Sequence, residues 1–414
     1  MRRVVITGLG VVSPLGCGVD VNWQALMAGR SGITSVDVLD GYEAPVKIAG
    51  RIPRGKEVGQ LDIDAVLSLK EQRHTDNSVI YGVAAAMEAM TMAGFSVDNI
   101  PNKDRFGVVF GCGQGGLNHF YAGVKTCLEQ GPNRISPFFM PAIIINQTAG
   151  FLSIKYGLEG PNLAVSTACA TGTHAIGEAY QYILSGYADC MLTGSTEAPM
   201  NVLAFAGFNQ MRALSHREDA PSQASRPWDK NRDGFVMAEG AGALVLEEYE
   251  SAKARGAKIY AEIVGYGMSA DAHHITAPGG TGAIRAMQMA LQRAGLQPSD
   301  IDYINAHGTS TPLGDMVEFN AVKELFGVNG PAMSSTKSMT GHMLGGAGSA
   351  EAVYSVLALQ HDMMPPTINL EEPEPETRGF NLVANKAQSK SLKTVLSNSF
   401  GFGGTNACLI FKKV

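Results

Sequence analysis

One short pattern occurs twice in this chain. Ser166-Thr167-x-x-x-Thr171-Gly172 returns as Ser335-Thr336-x-x-x-Thr340-Gly341, each copy leading into a helical pattern. A repeat so widely spaced constrains topology before any single residue does, because repeated units fold alike and bury a shared face. A second echo pairs Asp189-Cys-Met-Leu-Thr-Gly194-Ser-Thr with Asp302-Tyr-Ile-Asn-Ala-His-Gly308-Thr-Ser-Thr. Each half also opens with an apolar strand ending at glycine, Val4–Gly8 and Ile259–Gly265. The division falls near residue 255, into halves of 1–255 and 256–414. Superposed about a pseudo-twofold axis, the two strand-to-helix turns would face one cleft. The first copy encloses Cys169; the second encloses Lys337 and ends on His342, so the thiol would there meet an imidazole.

Between these landmarks short apolar runs alternate with amphipathic stretches, a pattern that predicts an α/β fold around a central sheet. The strand candidates are Arg3–Thr7, Phe106–Phe110, Leu163–Thr167, Cys190–Thr193, Ala243–Glu247, Ile259–Val264, Ile301–Ala306, Thr394–Asn398 and Ala407–Phe411. Helices are expected over Asp76–Ala93, Ala142–Tyr156, Ala170–Leu184, Gly282–Ala294, Asp315–Phe326 and Gly346–Leu359. With 414 residues, 45% of them apolar and 17% charged, there is ample material for a soluble core. No uninterrupted apolar stretch reaches membrane-spanning length, and the opening Met-Arg-Arg-Val-Val-Ile-Thr reads as a first strand rather than a signal peptide. A cytoplasmic protein is expected. A formal charge of −6 argues against nucleic acid as the main partner, and six scattered cysteines without a Cys-x-x-Cys pair argue against a disulfide framework or a zinc site.

Cys169 lies at a strand-to-helix turn among Ala168, Ala170 and Gly172, which leave room for a substrate. A cysteine in the first turn of a helix is expected to have its thiol pKa lowered by the helix dipole, which favours the nucleophilic thiolate. His307 and His342 follow apolar strands, and His342 stands on the matched element of the repeat. A single histidine at such a turn is more often a satisfied structural residue; two of them with a helix-start cysteine suggest nucleophilic catalysis. Gly401-Phe-Gly-Gly-Thr-Asn406, between two strands, offers backbone N–H groups for an oxyanion, with Phe402 as a gate. Three other features read as structure. Gly111-Cys-Gly-Gln-Gly-Gly116 fits Gly-x-Gly-x-x-Gly but sits too deep in the chain for a dinucleotide fingerprint and reads as a close backbone approach. His273-His274 lack further ligands at metal spacing, and His174 reads as packing.

Taken together, Ser-Thr-Ala-Cys169-Ala, Asn-Ala-His307-Gly-Thr-Ser-Thr, Ser-Thr-Lys337-Ser-Met-Thr-Gly-His342 and Asn398-Ser-Phe-Gly-Phe-Gly-Gly-Thr-Asn406 resemble the β-ketoacyl-acyl carrier protein synthases. Ser225-Arg-Pro-Trp-Asp-Lys-Asn-Arg-Asp-Gly-Phe235 and Pro365-Pro-Thr-Ile-Asn369 resemble their elongating type II branch, and the likeness runs from Arg2 to Lys413. The resemblance implies a thiolase fold, a duplicated five-layered α/β/α/β/α arrangement, as a homodimer. It makes Cys169 the acyl-accepting nucleophile, with His307 and His342, held neutral, stabilising the enolate from decarboxylated malonyl thioester. Backbone N–H groups of Cys169 and Phe402 would form the oxyanion hole, with Gly401 and Gly403 beside them and Phe208 in the substrate pocket. Lys337 would pair with Glu351 and orient the histidines. Thr309 and Thr311 would bond phosphopantetheine, which enters on a separate acyl carrier protein, since no Asp-Ser-Leu attachment sequence occurs here. Lys70, Arg73, Arg134 and Arg212 stand where the family places basic residues against that carrier. Neither nicotinamide nor catalytic metal is required; a structural monovalent cation near Asn305 or Asn398 is left open.

One position departs from the pattern: Gln114 stands where an aliphatic residue usually lines the acyl pocket, which leaves the acyl preference open and admits a specialised polyketide or polyene pathway. Two rivals are weighed. A thiolase-like acyltransferase or an acyl hydrolase would share the fold, but thiolases use a second cysteine where this chain has His342. A non-catalytic subunit that sets chain length would lack the nucleophile that Cys169 provides.

Overall fold

The computed structural model describes residues 2–414. Ten strands make the main path of one sheet, the first half contributing β1 (Val4–Ser13), β2 (Phe106–Cys112), β3 (Asn162–Leu163), β4 (Cys190–Glu197) and β5 (Gly240–Glu248). The second half contributes β6 (Ala261–Ala270), β7 (Tyr303–Asn305), β8 (Ala332–Ser334), β9 (Thr394–Gly401) and β10 (Thr405–Lys412). Read along the sheet, the order is β8-β7-β9-β10-β6-β1-β5-β4-β2-β3, a palindrome in which each strand of one half has its counterpart in the other. The pairings match as well. The outer three strands of each half are parallel, the inner pairs antiparallel, and β1 meets β6 antiparallel at the centre. Even the irregularity is duplicated: the β1–β5 register slips between Ile6 and Gly8, and the β6–β10 register between Ile263 and Gly265.

Helices cover both faces of the strands, which is why the strands read as near-continuous apolar runs instead of alternating ones. Flanking helix α1 (Asn77–Met92) packs on β1 and β5, and its counterpart α5 (Thr281–Ala294) on β6 and β10. Between the halves lie α4 (Thr171–Leu184) and α7 (Ala347–His361), in contact with each other and with strands of both halves. Alternate residues of β5 show the layering. Leu244 and Leu246 join the cluster containing Ile176, Val353 and Leu357, while Ala243 and Val245 join that of Val83, Ala86 and Met90. The remaining helices used below are α2 (Leu117–Gln130), α3 (Gln147–Tyr156) and α6 (Pro312–Phe326).

Several expectations need correction. Of the expected strand Leu163–Thr167 only Leu163 joins a ladder, in the short strand Asn162–Leu163. Past it the Ser/Thr-rich segment turns on its own side chains, with the Thr171 hydroxyl accepting from Thr167 N at 2.8 Å. The helix expected over Ala142–Tyr156 begins only at Gln147, because the Ile143 carbonyl that would continue it accepts from Gly116 N at 3.1 Å instead. The second sequence echo is misaligned: Cys190–Glu197 holds the place of Thr394–Gly401, whereas Tyr303–Asn305 holds that of Phe106–Cys112. In the first echo, the serines match but the helices do not follow at equal distance. Ser166 stands six residues before Gly172 and Ser335 thirteen before Gly348, the glycines at which α4 and α7 meet. The extra residues of the second half carry His342. The glycine motif at 111–116 is a close backbone approach as read, since a Cβ on Gly111 would lie 2.4 Å from Thr171 Cγ2.

The tightest contact of the flanking layers is between β1 and α1, where a Cβ on Gly10 would stand 1.9 Å from the Ala85 carbonyl oxygen. Main chain cannot yield as a side chain can, so Gly10→Ala is expected to cost about 1–3 kcal/mol through overpacking. Gly207, in the short helix Val202–Gln210, has open space and should respond oppositely, Gly207→Ala gaining about 0.5–1 kcal/mol. Thermal unfolding of both variants reads the two signs.

Candidate active site

Turns from both halves converge at one end of the sheet. Ahead of α4, Ala168 takes a left-handed conformation with φ +49°, uncommon for a residue with a Cβ, and this kink lifts Cys169 out in the turn Ala168–Ala170. The Thr171 hydroxyl holds it by donating to the Ala168 carbonyl at 2.7 Å. His307 follows β7, its backbone N–H and that of Gly308 donating to Glu318 Oε1 and Oε2 at 2.8 and 2.7 Å. After the helical turn Lys337–Thr340, His342 is fixed through its own main chain: its N–H donates to Val236 O at 2.7 Å, and its carbonyl accepts from Ala238 N at 3.0 Å. Phe402 stands at the tip of the β9–β10 hairpin, 36% exposed.

These turns put the thiol and both imidazoles together. His342 Nε2 lies 3.0 Å from Cys169 Sγ, and the His307 and His342 rings meet edge-on with centroids 5.4 Å apart. Phe235 covers His342 edge-on at 5.4 Å and Phe400 covers His307 at 5.9 Å. A cavity of about 450 Å³ passes Cys169 and is bordered by Gln114, Phe208, Thr309, Thr311 and Phe402. The Thr309 and Thr311 hydroxyls are 3.0 Å apart and so act as one polar patch on its wall. Gln114 Oε1 is shielded from solvent without a hydrogen-bond partner.

Burial governs the electrostatics. Both histidines are held well below their usual pKa, first by desolvation and then by the nearby charge of Lys337, so both are neutral at pH 7. The expectation of a lowered thiol pKa does not hold. Burial pushes Cys169 up to about 12, against the opposing pull of Lys337 and of the Phe402 and Cys169 N–H groups directed at the sulfur. The helix-start position is real, but in a desolvated cleft it is the smaller effect, and the resting pair is a neutral thiol beside a neutral imidazole. Lys337 and Glu351, each 1% exposed, form an ion pair behind the histidines and do not border the cavity. Burial pushes the Glu351 carboxyl up, and the lysine pulls it back.

Of the hairpin glycines, Gly401 borders the cavity but Gly403 does not. Gly403 turns outward with φ +86°, donating to Ile275 O at 2.6 Å, and Gly404 takes its place on the wall. Lys70, Arg73, Arg134 and Arg212 are exposed, and only Arg212 reaches the cavity rim. His174 packs as read, its Nδ1 2.8 Å from the Thr167 hydroxyl and its pKa pushed down to about 4 by burial. His274 is tied into its own turn, Nδ1 accepting from Thr276 N and Ala277 N at 3.1 Å. Sequence reasoning missed Glu197 and Glu318, both buried beside the site. Their signal was present, since each is an acid on an otherwise apolar face, at the end of β4 and between Val317 and Phe319 on α6.

A thiolase fold with a cysteine and two histidines at the joint of its halves defines a class, and comparison with known proteins gives the member. The beta-ketoacyl synthase N-terminal domain model matches residues 1–252 and the C-terminal domain model residues 260–371. The chain belongs to the β-ketoacyl synthase family. It is 50% identical to 3-oxoacyl-[acyl-carrier-protein] synthase 2 of Rhizobium meliloti (strain 1021), covering all of this chain and 99% of that one. It is 49% identical to the protein of that name from Vibrio cholerae serotype O1, with the same coverage. Among solved structures, a beta-ketoacyl synthase from Burkholderia phymatum STM815 superposes with a TM-score of 0.91 at 37% identity over the whole of both chains. The ketosynthase of a type II polyketide acyl-carrier protein complex superposes with 0.88 at 34%, over all of this chain and 99% of that one.

Removing one partner of a buried ion pair strands a charge, so Glu351→Ala is expected to cost about 3–5 kcal/mol, while the double variant Lys337→Met, Glu351→Leu should cost clearly less. Thermal unfolding compares them. Because Lys337 holds the histidines down, the double variant should also raise their pKa values, observable by NMR titration of the imidazoles.

Proposed function

We propose that this protein is the elongating condensing enzyme of fatty acid synthesis, joining an acyl group held on Cys169 to malonyl-acyl carrier protein. The observation that carries this reading is the 3.0 Å approach of His342 Nε2 to Cys169 Sγ inside a cavity that His307 also borders. Cys169 Sγ attacks the acyl thioester, its proton leaving by way of His342 to the departing pantetheine sulfur. The N–H groups of Cys169 and Phe402 meet the developing oxyanion. Malonyl thioester then loses carbon dioxide. Its enolate oxygen takes hydrogen bonds from the neutral His307 and His342, and its carbon attacks the Cys169 thioester. The product is a 3-oxoacyl chain two carbons longer, and the released Cys169 thiolate takes a proton from solvent. Thr309 and Thr311 bond the pantetheine amides on the way in. Residues 1–255 thus supply the nucleophile and 256–414 the two histidines.

The carrier is a separate acyl carrier protein, as in the type II polyketide complex, docking on the face of Lys70, Arg73, Arg134 and Arg212. A homodimer is supported by α2, none of whose residues is buried although Phe120, Val124 and Leu128 lie along it. A covered face is what such an apolar stripe needs. No helix among the described residues is long and apolar enough to cross a membrane, and we place the protein in the cytoplasm. A monovalent cation fits Asn305, whose buried amide atoms lack partners, as does the hydroxyl of Ser397 opposite it in register. At Asn398 the oxygen already accepts from the Cys408 thiol at 3.0 Å, which leaves one lone pair for such an ion. Such an ion would be structural. No nicotinamide or catalytic metal enters the reaction.

Mass spectrometry tests the reading. Incubated with acyl-carrier thioesters, the Cys169 peptide should gain the acyl mass and lose it, on addition of malonyl carrier protein, to a product two carbons longer. An unmodified Cys169 overturns the proposal in favour of a silent chain-length subunit. Since burial and Lys337 hold both histidines well below 6.5, neither imidazole should protonate between pH 7.5 and 6, which NMR titration of the rings checks. Gln114→Ile should shift preference toward long saturated chains. An unchanged profile would exclude Gln114 from acyl selection and with it the case for a specialised polyketide or polyene chain.

A further inference from the structure

Glu197 ends β4 fully buried, yet borders the cavity, and the reaction above does not use it. Its Oε2 accepts from Gly113 N at 3.0 Å and Gly345 N at 3.1 Å, and its Oε1 from Gln114 N at 3.1 Å and the Cys112 thiol at 3.4 Å. A Cβ on Gly113 or Gly345 would stand 2.4 or 2.6 Å from Oε2, so both positions are shaped to admit this carboxylate. One side chain thereby joins two loops. The first, through Gly113 and Gln114, walls the acyl cavity. The second, through Gly345, follows His342 by three residues and passes Leu344 in a left-handed conformation, φ +47°. The two loops also pack main chain to main chain, a Cβ on Gly345 standing 2.7 Å from Gly113 N, and the Glu197 carboxylate hydrogen-bonds both across that contact.

We propose that Glu197 is a positioning residue for elongation, fixing the acyl-side loop against the His342 loop so that thioester and imidazole keep their spacing. The inference rests on the reading of Cys169 as the acyl-bearing nucleophile. Its charge gives a second handle. Burial pushes Glu197 up to about 7 while the three amides and the Cys112 thiol pull it back, and when ionised it opposes ionisation of Cys169. The other titratable groups at the site are Lys337, which favours the Cys169 thiolate, its partner Glu351, the protonated thiol of Cys112, the neutral His307 and His342, and Glu318, Asp271, His274 and Arg212 along the cavity wall.

Two variants separate reach from charge. Glu197→Gln turns an NH2 group toward backbone donors and removes the charge. It should lower elongation kcat at least tenfold with KM for malonyl carrier protein within twofold, and speed iodoacetamide alkylation of Cys169 severalfold at pH 7.5. Glu197→Asp keeps the charge and loses the reach, so kcat should fall with alkylation unchanged. A merely structural role would not accelerate alkylation. Elongation by Glu197→Gln within twofold of wild type, or alkylation no faster, overturns the proposal. Should the variants not accumulate folded, Gly345→Ala, whose Cβ would stand 2.6 Å from Glu197 Oε2, decides in their place: kcat should fall at least tenfold, and elongation within twofold of wild type overturns the proposal. Wild-type protein that fails to elongate in the same assay overturns the functional reading instead, since the alkylation comparison stands apart from turnover.

Discussion

Everything at the site depends on how closely α4 and α7 approach. A Cβ on Gly172 would lie 2.4 Å from Ser349 N, and one on Gly348 would lie 2.5 Å from the Thr173 hydroxyl. With only glycine at the crossing, the N-terminal ends of two helices from different halves stand back to back. Short hydroxyl pairs complete the joint, Ser195 with Ser349 at 2.6 Å and Thr173 with Ser399 at 2.7 Å. The turn before α4 carries the thiol, and the longer turn before α7 carries the imidazole. Their hydrogen bond is therefore a consequence of helix packing, and a larger residue at either glycine would pull the two apart.

That joint also concentrates charge where water is absent. Lys337 and Glu351 are ionisable groups in the core, an arrangement that seldom adds stability over a well-packed apolar pair. Its value lies in the field it casts. The ammonium depresses both histidines and eases ionisation of the thiol, while the carboxylate of Glu197 opposes that ionisation. Strongly perturbed groups gathered in one cleft are the mark of a working site, and here the perturbations share one cause, the dry seam between the halves.

Much of this was legible in the chain. The repeated Ser-Thr pattern gave the duplication, and the residues it enclosed, with His307 and the glycine-rich hairpin, gave the chemical centre. What could not be read was geometry that depends on a partner element. The Ser-Thr-Ala segment looks like a strand by composition, yet its hydroxyls fold it into a turn. Ala142–Tyr156 carries an unbroken helical pattern, yet a carbonyl diverted to Gly116 breaks it. The second echo failed because similarity of letters, Thr-Gly-Ser-Thr against His-Gly-Thr-Ser-Thr, joined strands that occupy different places in the two halves. The thiol pKa failed for another reason: a helix dipole can be inferred from local sequence, whereas desolvation requires knowing what walls the cleft.

The protonated thiol has a consequence for the life of the protein in a cell. Peroxides and stray electrophiles attack thiolate. With its pKa pushed far above the ordinary thiol value by burial, Cys169 presents very little thiolate at neutral pH. The same burial that keeps Cys169 protonated thus shields its sulfur from oxidation.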